Sequence, residues 1–563
     1  IYKLKNNNKV MTAIKNAFID EVNSRGMCQT ENGALQHLTT GSALVDQFGK
    51  AGNYRGRNLG DVFEEQAKIW NENAELAIRF PFYLRMVTRK VKINKENVTD
   101  KSQSGQGARD ESFKRLLWVA KNHPNDFYNN IFILPLVGSW KDIWTIMFYD
   151  KKFNVNAIEK NILFDVLSNG LQSETHVDLV KKFMPRIKSS SKCTTDWTKE
   201  TNALAKDFSK FLGISYKEYN KLKASGKAHD FQKIICARKY DELEWKKIPG
   251  RALHLLVNGK FLSNHNLTDS YTSWIIEQPT AKFTGYVFEL SKRLREKGLV
   301  GGGYNKVTLP IEVRHTLDAQ FDQLVKTALE GGKITENVLC CLDTSGSMGS
   351  RVSGLKNVSC CDIATSLALF FAKINKGAFH NVIMRFDNTC YPVTLTSESF
   401  CECTEQLPHC GCGGTNFQGV IDEIVKIRKE KPQIPLKDYP TTIVAVSDMQ
   451  FNDCGWGRAK ATNYDIAKDK LLEVFPKEFV DKIRFIWWDV SSRYGTNGFE
   501  SKSTDDGSMF ISGFDGSIMT LLLGEENVVD EKSGETRRPT AEDLVKKALS
   551  QEILNYVQLA DKK

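Results

Sequence analysis

The sequence predicts two unlike parts in one chain. An α-helical repeat region over residues 12–333 precedes a doubly wound α/β domain over 336–525, and a C-terminal extension with a helix occupies 526–563. Three observations predict this. Apolar residues recur three and four apart from Met11 to about Gln278, the period of helices that pack through one face. After residue 336, short continuous apolar runs alternate with helical patterns, as in a parallel sheet covered on both faces. The charge also changes sign near that boundary. Residues 1–335 hold 52 Lys+Arg against 36 Asp+Glu, a balance of +16, and residues 336–563 hold 26 against 32, a balance of −6.

In the first part, residues 59–74 and 75–90 read as amphipathic helices, with Pro81 a break or kink in the second. Residues 91–108 are polar and glycine-rich and read as a loop. Helical patterns resume at 110–121 and 127–136. Another follows Gly138 and Trp140, with Asp142 favourably placed in its first turn. Helices at 158–169 and 177–183 follow, the latter ended by Met184-Pro185. Serial helices with few strand signals suggest an α-solenoid of divergent repeats; a compact bundle is the alternative. Gly301 to Gly303 mark a turn, residues 311–329 a helix, and Gly331-Gly332 the junction.

In the second part, strands are expected at 338–343, 441–448, 483–490 and 509–512. A hairpin is expected around Asp387-Asn388, and the closing helix at 541–559. The first strand ends in Asp343, Ser345 and Ser347, with Gly346 easing the turn. Thr415 follows Gly411, Gly413 and Gly414, and Asp448 ends another buried strand. Strand ends of a doubly wound sheet gather at one edge, where ligands bind. The carboxylate of Asp343 and the hydroxyls of Ser345 and Ser347 suit Mg²⁺ or another hard divalent cation. The bland reading is a capped strand-to-helix turn. Asp-x-Ser-x-Ser, a loop Thr and a strand-end Asp together resemble the metal-ion-dependent adhesion site (MIDAS) of von Willebrand factor A (vWA) domains. The resemblance implies that Thr415 and Asp448 join the other three as ligands, directly or through water.

Several segments of the first part resemble the TROVE domain, the HEAT-like helical ring of the Ro ribonucleoprotein and its relatives. The fit is closer still to a TROVE-like family with the same two-part design and a C-terminal vWA domain. The segments begin at Gly105, Leu136, Phe211, Ile234 and Asp241 and run to Asp110, Asp142, Tyr219, Tyr240 and Arg251. The resemblance implies RNA binding, with single-stranded 3′ ends in the ring and small structured RNA on its basic outer face. The cations available for this are Arg109, Lys114 and Arg115, then Lys181, Lys182, Arg186 and Lys188. A later group is Lys233, Arg238, Lys239, Lys246, Lys247 and Arg251. Such residues give salt-sensitive affinity without sequence specificity. Trp140, Trp144, Tyr216, Tyr219 and Tyr240 could stack on bases, but their helical spacing favours the core. His254 reads as a packed helix residue.

Hydrophobic residues make up 41% of the chain and charged residues 26%, the balance of a soluble globular protein. No apolar run reaches 18 residues, and residues 1–9 do not read as a secretory leader, so no membrane association is expected. Thirteen cysteines without a leader predict a reducing, cytoplasmic setting and mostly free thiols. Cys401, Cys403, Cys410 and Cys412 form C-x-C-x₆-C-x-C, with His409 between. Zinc is one reading. The tight C-x-C spacing favours unligated loop cysteines instead.

No motif supplies a separate general base, so the expectation is a non-enzymatic RNA-binding scaffold of ribonucleoprotein type. Its metal site would engage a protein partner or other ligand. The alternative is a protein-interaction component of a larger, phage-like particle, with the metal bridging to an acidic residue. A metal-dependent nuclease is third.

Overall fold

The chain departs from a helical reading at its first described residues. In the computed structural model, strands β1 (Met27–Gln29) and β2 (Leu35–His37) pair antiparallel, which corrects the expectation of a region without strands. Three-residue strands closed by a short turn at Gly33 are too brief to show an alternating pattern. The structure describes residues 26–94, 96–226, 230–296, 309–330, 337–375, 377–407, 411, 413–453, 461–491, 497–518, 528–529 and 536–562. The glycine turns expected at 301–303 and 331–332 lie outside them.

Helices then follow one another, among them Leu59–Glu72, Ala74–Arg85, Arg109–Asn122 and Lys141–Lys152. Pro81 lies inside Ala74–Arg85 without ending it. Proline cannot donate to the carbonyl four residues back, here that of Ala77. The buried Gln66 side chain supplies a donor instead, 3.0 Å from Ala77 O.

The second part forms a six-stranded sheet in the order β5-β4-β3-β6-β7-β8. Its strands are β3 (Val338–Asp343), β4 (Val382–Phe386), β5 (Cys390–Thr394), β6 (Thr442–Ser447), β7 (Arg484–Asp489) and β8 (Ser508–Ser512). All neighbours are parallel except β4 and β5, the expected hairpin. Adjacent residues of a strand face opposite sides, and β7 shows this directly. Trp487 packs on Phe417 and Phe451, while Trp488 packs on Phe371 of helix Cys360–Ile374. Helix Val287–Glu296 docks on that same helix, where Ser291 and Ser366 hydroxyls meet at 2.8 Å. Among the described residues no helix is long and apolar enough to cross a membrane.

Packing crosses the boundary at 333–336 in both directions. The first part reaches the sheet through Gly52 N–H, which donates to Ser512 Oγ, and through Asn53, which accepts from Gly513 N–H. The tail returns the contact. Helix Ala541–Leu549 packs on Ala74–Arg85, and Arg79 Nε donates to Val557 O. That helix stops ten residues short of the expected 559. Beyond it, the buried Gln551 amide pairs with the backbone of Ser104, accepting at 2.6 Å and donating at 2.8 Å. Replacing Gln551 by Ala strands a buried N–H and a carbonyl. We expect a loss of about 1–3 kcal/mol, read as a lower urea midpoint.

Candidate functional site

Asp343 lies at the carboxyl end of β3, beside Ser447 at the end of β6, and both are buried. Ser447 Oγ donates to Asp343 Oδ2 at 2.5 Å, and Ser345 N–H donates to Asp343 Oδ1 at 2.8 Å. The Ser345 and Ser347 hydroxyls sit 3.1 Å apart, so the turn folds all three polar side chains together. The glycine loop lies against this turn: Gly411 N–H donates to Thr344 O, and Gly346 N–H to Gly413 O. Thr415 is then fixed by Asn452, which receives the Thr415 N–H on Oδ1 and donates its own N–H to Thr415 O, both at 2.9 Å.

The five predicted ligands therefore come from three loops at one sheet edge. Asp343, Ser345, Thr415 and Asp448 are at most 1% exposed. Ser347 is half-buried and Gly346 exposed, so the site opens on that side. Burial pushes the Asp343 carboxyl up to about 7, and the charge of Asp448 adds to it, against hydrogen bonds from Ser447 and Ser345. Thr415 Oγ1 is buried with no hydrogen-bond partner among the described residues. A buried hydroxyl of that kind leaves room for a water or an ion as its partner. Two carboxylates and three hydroxyls fit a hard divalent cation.

The sequence reading missed what holds the loop after Asp448. Met449 has φ +62, a left-handed conformation that costs a non-glycine residue about 1–3 kcal/mol. Ser447 Oγ accepts its N–H at 3.0 Å, and Gln36 of the β1–β2 hairpin donates to its carbonyl at 3.1 Å. Glu31 N–H donates to Gln450 Oε1, Asn32 to Gln450 O, and Thr30 to Phe451 O. Gly33 also bridges Asn452, the residue that holds Thr415. So a hairpin some 400 residues earlier in the chain braces two of the site's three loops. Only Ser447, next to Asp448, left a signal in the sequence. Arg385 was missed as well; it donates to Thr344 Oγ1 at 2.7 Å and pairs with Asp387 at 2.6 Å.

The cysteine cluster is divided. Cys401 and Cys403 are buried on helix Phe400–Gln406, and Cys410 and Cys412 lie outside the described residues. Burial pushes both described thiols up, away from the thiolate that zinc takes. Among the described residues no three His, Cys, Asp or Glu side chains gather for a metal ion. Nine described cysteines are free, and Cys361 is disulfide-bonded.

The predicted cations separate into three groups. Lys114 and Arg115 are buried, which corrects their placement on an RNA-facing surface. Lys114 pairs with Asp110 at 2.7 Å, and Arg115 with Glu65 at 3.1 Å and Glu111 at 3.5 Å. Their helix faces inward, so both charges are consumed inside. Lys233, Lys239, Lys247 and Arg251 are exposed but paired with Asp230, Glu242, Glu244 and Glu289. Arg109, Arg186, Lys188, Arg238 and Lys246 are exposed, and Lys181 half-buried, with no ion pair formed among the described residues. Lys182 is also exposed. Of the aromatics, Trp140, Trp144 and Tyr219 are core residues, Tyr240 is partly buried, and Tyr216 is 43% exposed. His254 bonds Gln320 Oε1 at 2.9 Å, as a packing residue does.

Changing Arg115 to Ala leaves the fully buried Glu111 short of a counter-charge. We expect a loss of about 3–5 kcal/mol in urea unfolding, against at most about 0.5 kcal/mol for Lys188→Ala.

Residues 337–560 match the model of a family described as a domain of unknown function (DUF7788), which spans the sheet and the tail. No curated protein matches the chain. Among solved structures, the crystal structure of Deinococcus radiodurans Ro (RSR) protein is similar. It has a TM-score of 0.45 and 13% identity, covering 92% of this chain and 100% of that chain.

Proposed function

We propose that this chain is a non-enzymatic RNA-binding scaffold whose α/β domain, read as vWA-like with a MIDAS, captures a partner through Mg²⁺. The carrying observation is the face formed by helices Val177–Phe183 and Tyr216–Ala224, which pack together. Lys181 and Lys182 lie on the first helix and Lys223 on the second, and Arg186, just beyond the first helix, acts on Lys223; Lys188, Lys217 and Lys221 are exposed nearby in the chain. Lys223 Nζ donates to Lys182 O at 3.3 Å. Burial, then the charge of Arg186, lowers the Lys223 pKa. A polyanion relieves the repulsion between Arg186 and Lys223, and phosphate backbones supply one. Single-stranded ends or small structured RNA, on a ring of HEAT-like helices, fit this reading.

Asp343, Ser345, Ser347, Thr415 and Asp448 would hold the cation. When bound, it supplies a Lewis-acidic position for an acidic group of a partner. The hydroxyl-rich set leaves more positive charge on the ion than a carboxylate-rich one, which favours capture over hydrolysis. The chain's own part is to fix the donors and to leave an opening at Gly346 and Ser347.

Two experiments test this. A labelled RNA hairpin with a single-stranded 3′ tail is titrated at two salt concentrations. Against wild type stands a variant with Lys181, Lys182, Arg186 and Lys188 changed to Glu. Micromolar binding that weakens with salt and falls at least about tenfold in the variant is expected. Absence of binding at low salt would sink the RNA reading and leave the particle-component alternative. For the metal, millimolar Mg²⁺ should raise the unfolding temperature of wild type and not of Asp448→Ala. An equal rise in both removes Asp448 from the site.

A further inference from the structure

A pocket of about 340 Å³ lies where the 100–104 loop meets the tail. A second cavity, of about 280 Å³, is chemically more distinctive. It opens between the turn Trp245–Lys247, helix Thr268–Ile276 and helix Ile311–Glu330. Trp245, Trp274, Lys246, Lys282, Gln278 and Gln323 line it, over an apolar floor of Ile248 and Leu253.

The two indoles do not touch each other. Each packs on Tyr271, Trp245 edge-on at 5.0 Å and Trp274 tilted at 5.6 Å, and Tyr271 is itself anchored by a 2.7 Å bond to Thr316. They are therefore held in place while Trp274 keeps part of its surface open. The charges at the mouth point the same way. Neighbouring Lys247 and Arg251 are neutralised by Glu244 and Glu289. Lys246 and Lys282 are exposed and form no ion pair among the described residues. Gln278 and Gln323 donate to their own helices, at Trp274 O and Thr327 Oγ1, and keep amide oxygens as acceptors.

We infer that this pocket binds a single unstacked nucleotide, its base against the part-open Trp274, with the buried Trp245 forming the inner wall, and its phosphate held by Lys246 and Lys282. Aromatic walls take any base through its face, and lysines take the backbone without regard to sequence. An acidic peptide would satisfy the lysines and waste the indoles. A cavity of about 280 Å³ lies at the small end of ligand sites, room for one nucleotide and not for a duplex. The inference deepens the RNA reading, as a place where a single-stranded segment is gripped.

The probe is the fluorescent etheno derivative of adenosine monophosphate, whose emission is quenched by stacking on indole. The full chain should quench it saturably at low salt. Trp274→Ala and the double variant Lys246→Glu, Lys282→Glu should each weaken binding about fivefold or more. Trp274→Phe, which keeps a ring, should retain most of it and guards against a folding defect. No saturable quenching by wild type, or undiminished binding in both the Ala and the Glu variants, overturns the inference. The tailed hairpin, titrated on the same samples, separates the two readings. Hairpin binding without nucleotide binding sinks the pocket alone; nucleotide binding without hairpin binding supports the pocket and sinks the RNA scaffold.

Discussion

Parallel pairing of β3 with β6 carries a carboxylate into the protein's interior. Asp343 is fully buried with Ser447 beside it, and the charge of Asp448 acts on it. Taking carboxylates out of water side by side is costly unless something compensates. Here the compensation is partial. Ser447 and the Ser345 N–H satisfy the Asp343 oxygens, yet its carboxyl still rises to about 7. The Thr415 hydroxyl, with no hydrogen-bond partner among the described residues, adds another buried oxygen to this edge. The surrounding loops are shaped to keep that arrangement.

Those loops depend on residues far away in sequence. Met449 sits in a strained conformation and is restrained by Gln36, and Asn452 ties Thr415 to the loop that the β1–β2 hairpin clamps. The tail reciprocates by seating Gln551 on Ser104 and Val557 on Arg79. Each part thus carries a piece of the other's support.

Local patterns made much of this legible. The apolar run at 338–342 followed by Asp-x-Ser-x-Ser announced a buried strand and its oxygen-rich end; Asp448 followed from the same logic of strand ends, and Thr415 from its glycine loop and the resemblance to the adhesion-site pattern. The register of the sheet then brought them to one edge, as parallel pairing requires. The basic residues were less legible. Lys114 and Arg115 look like surface cations in a linear text, because a helix period shows which residues share a face and not which face turns inward. Arg115 also meets Glu65, some fifty residues away, a pairing that no local pattern shows. At Pro81 the sequence left a break or a kink open; only the fold could place Gln66 against the carbonyl that proline leaves unsatisfied, so that the helix runs on.

By itself the sequence determined the helix-then-sheet order, the strand ends that carry the oxygen ligands, and the sign of the charge on each part. Those are properties of neighbours along the chain: periodicity, turn chemistry and local composition. Tertiary structure alone decided which cations reach solvent, how the hairpin braces the loop after Asp448, and that two indoles and two lysines line one cavity. Each of these depends on groups distant in the chain, and their meeting is set by how whole elements pack. No local pattern encodes that.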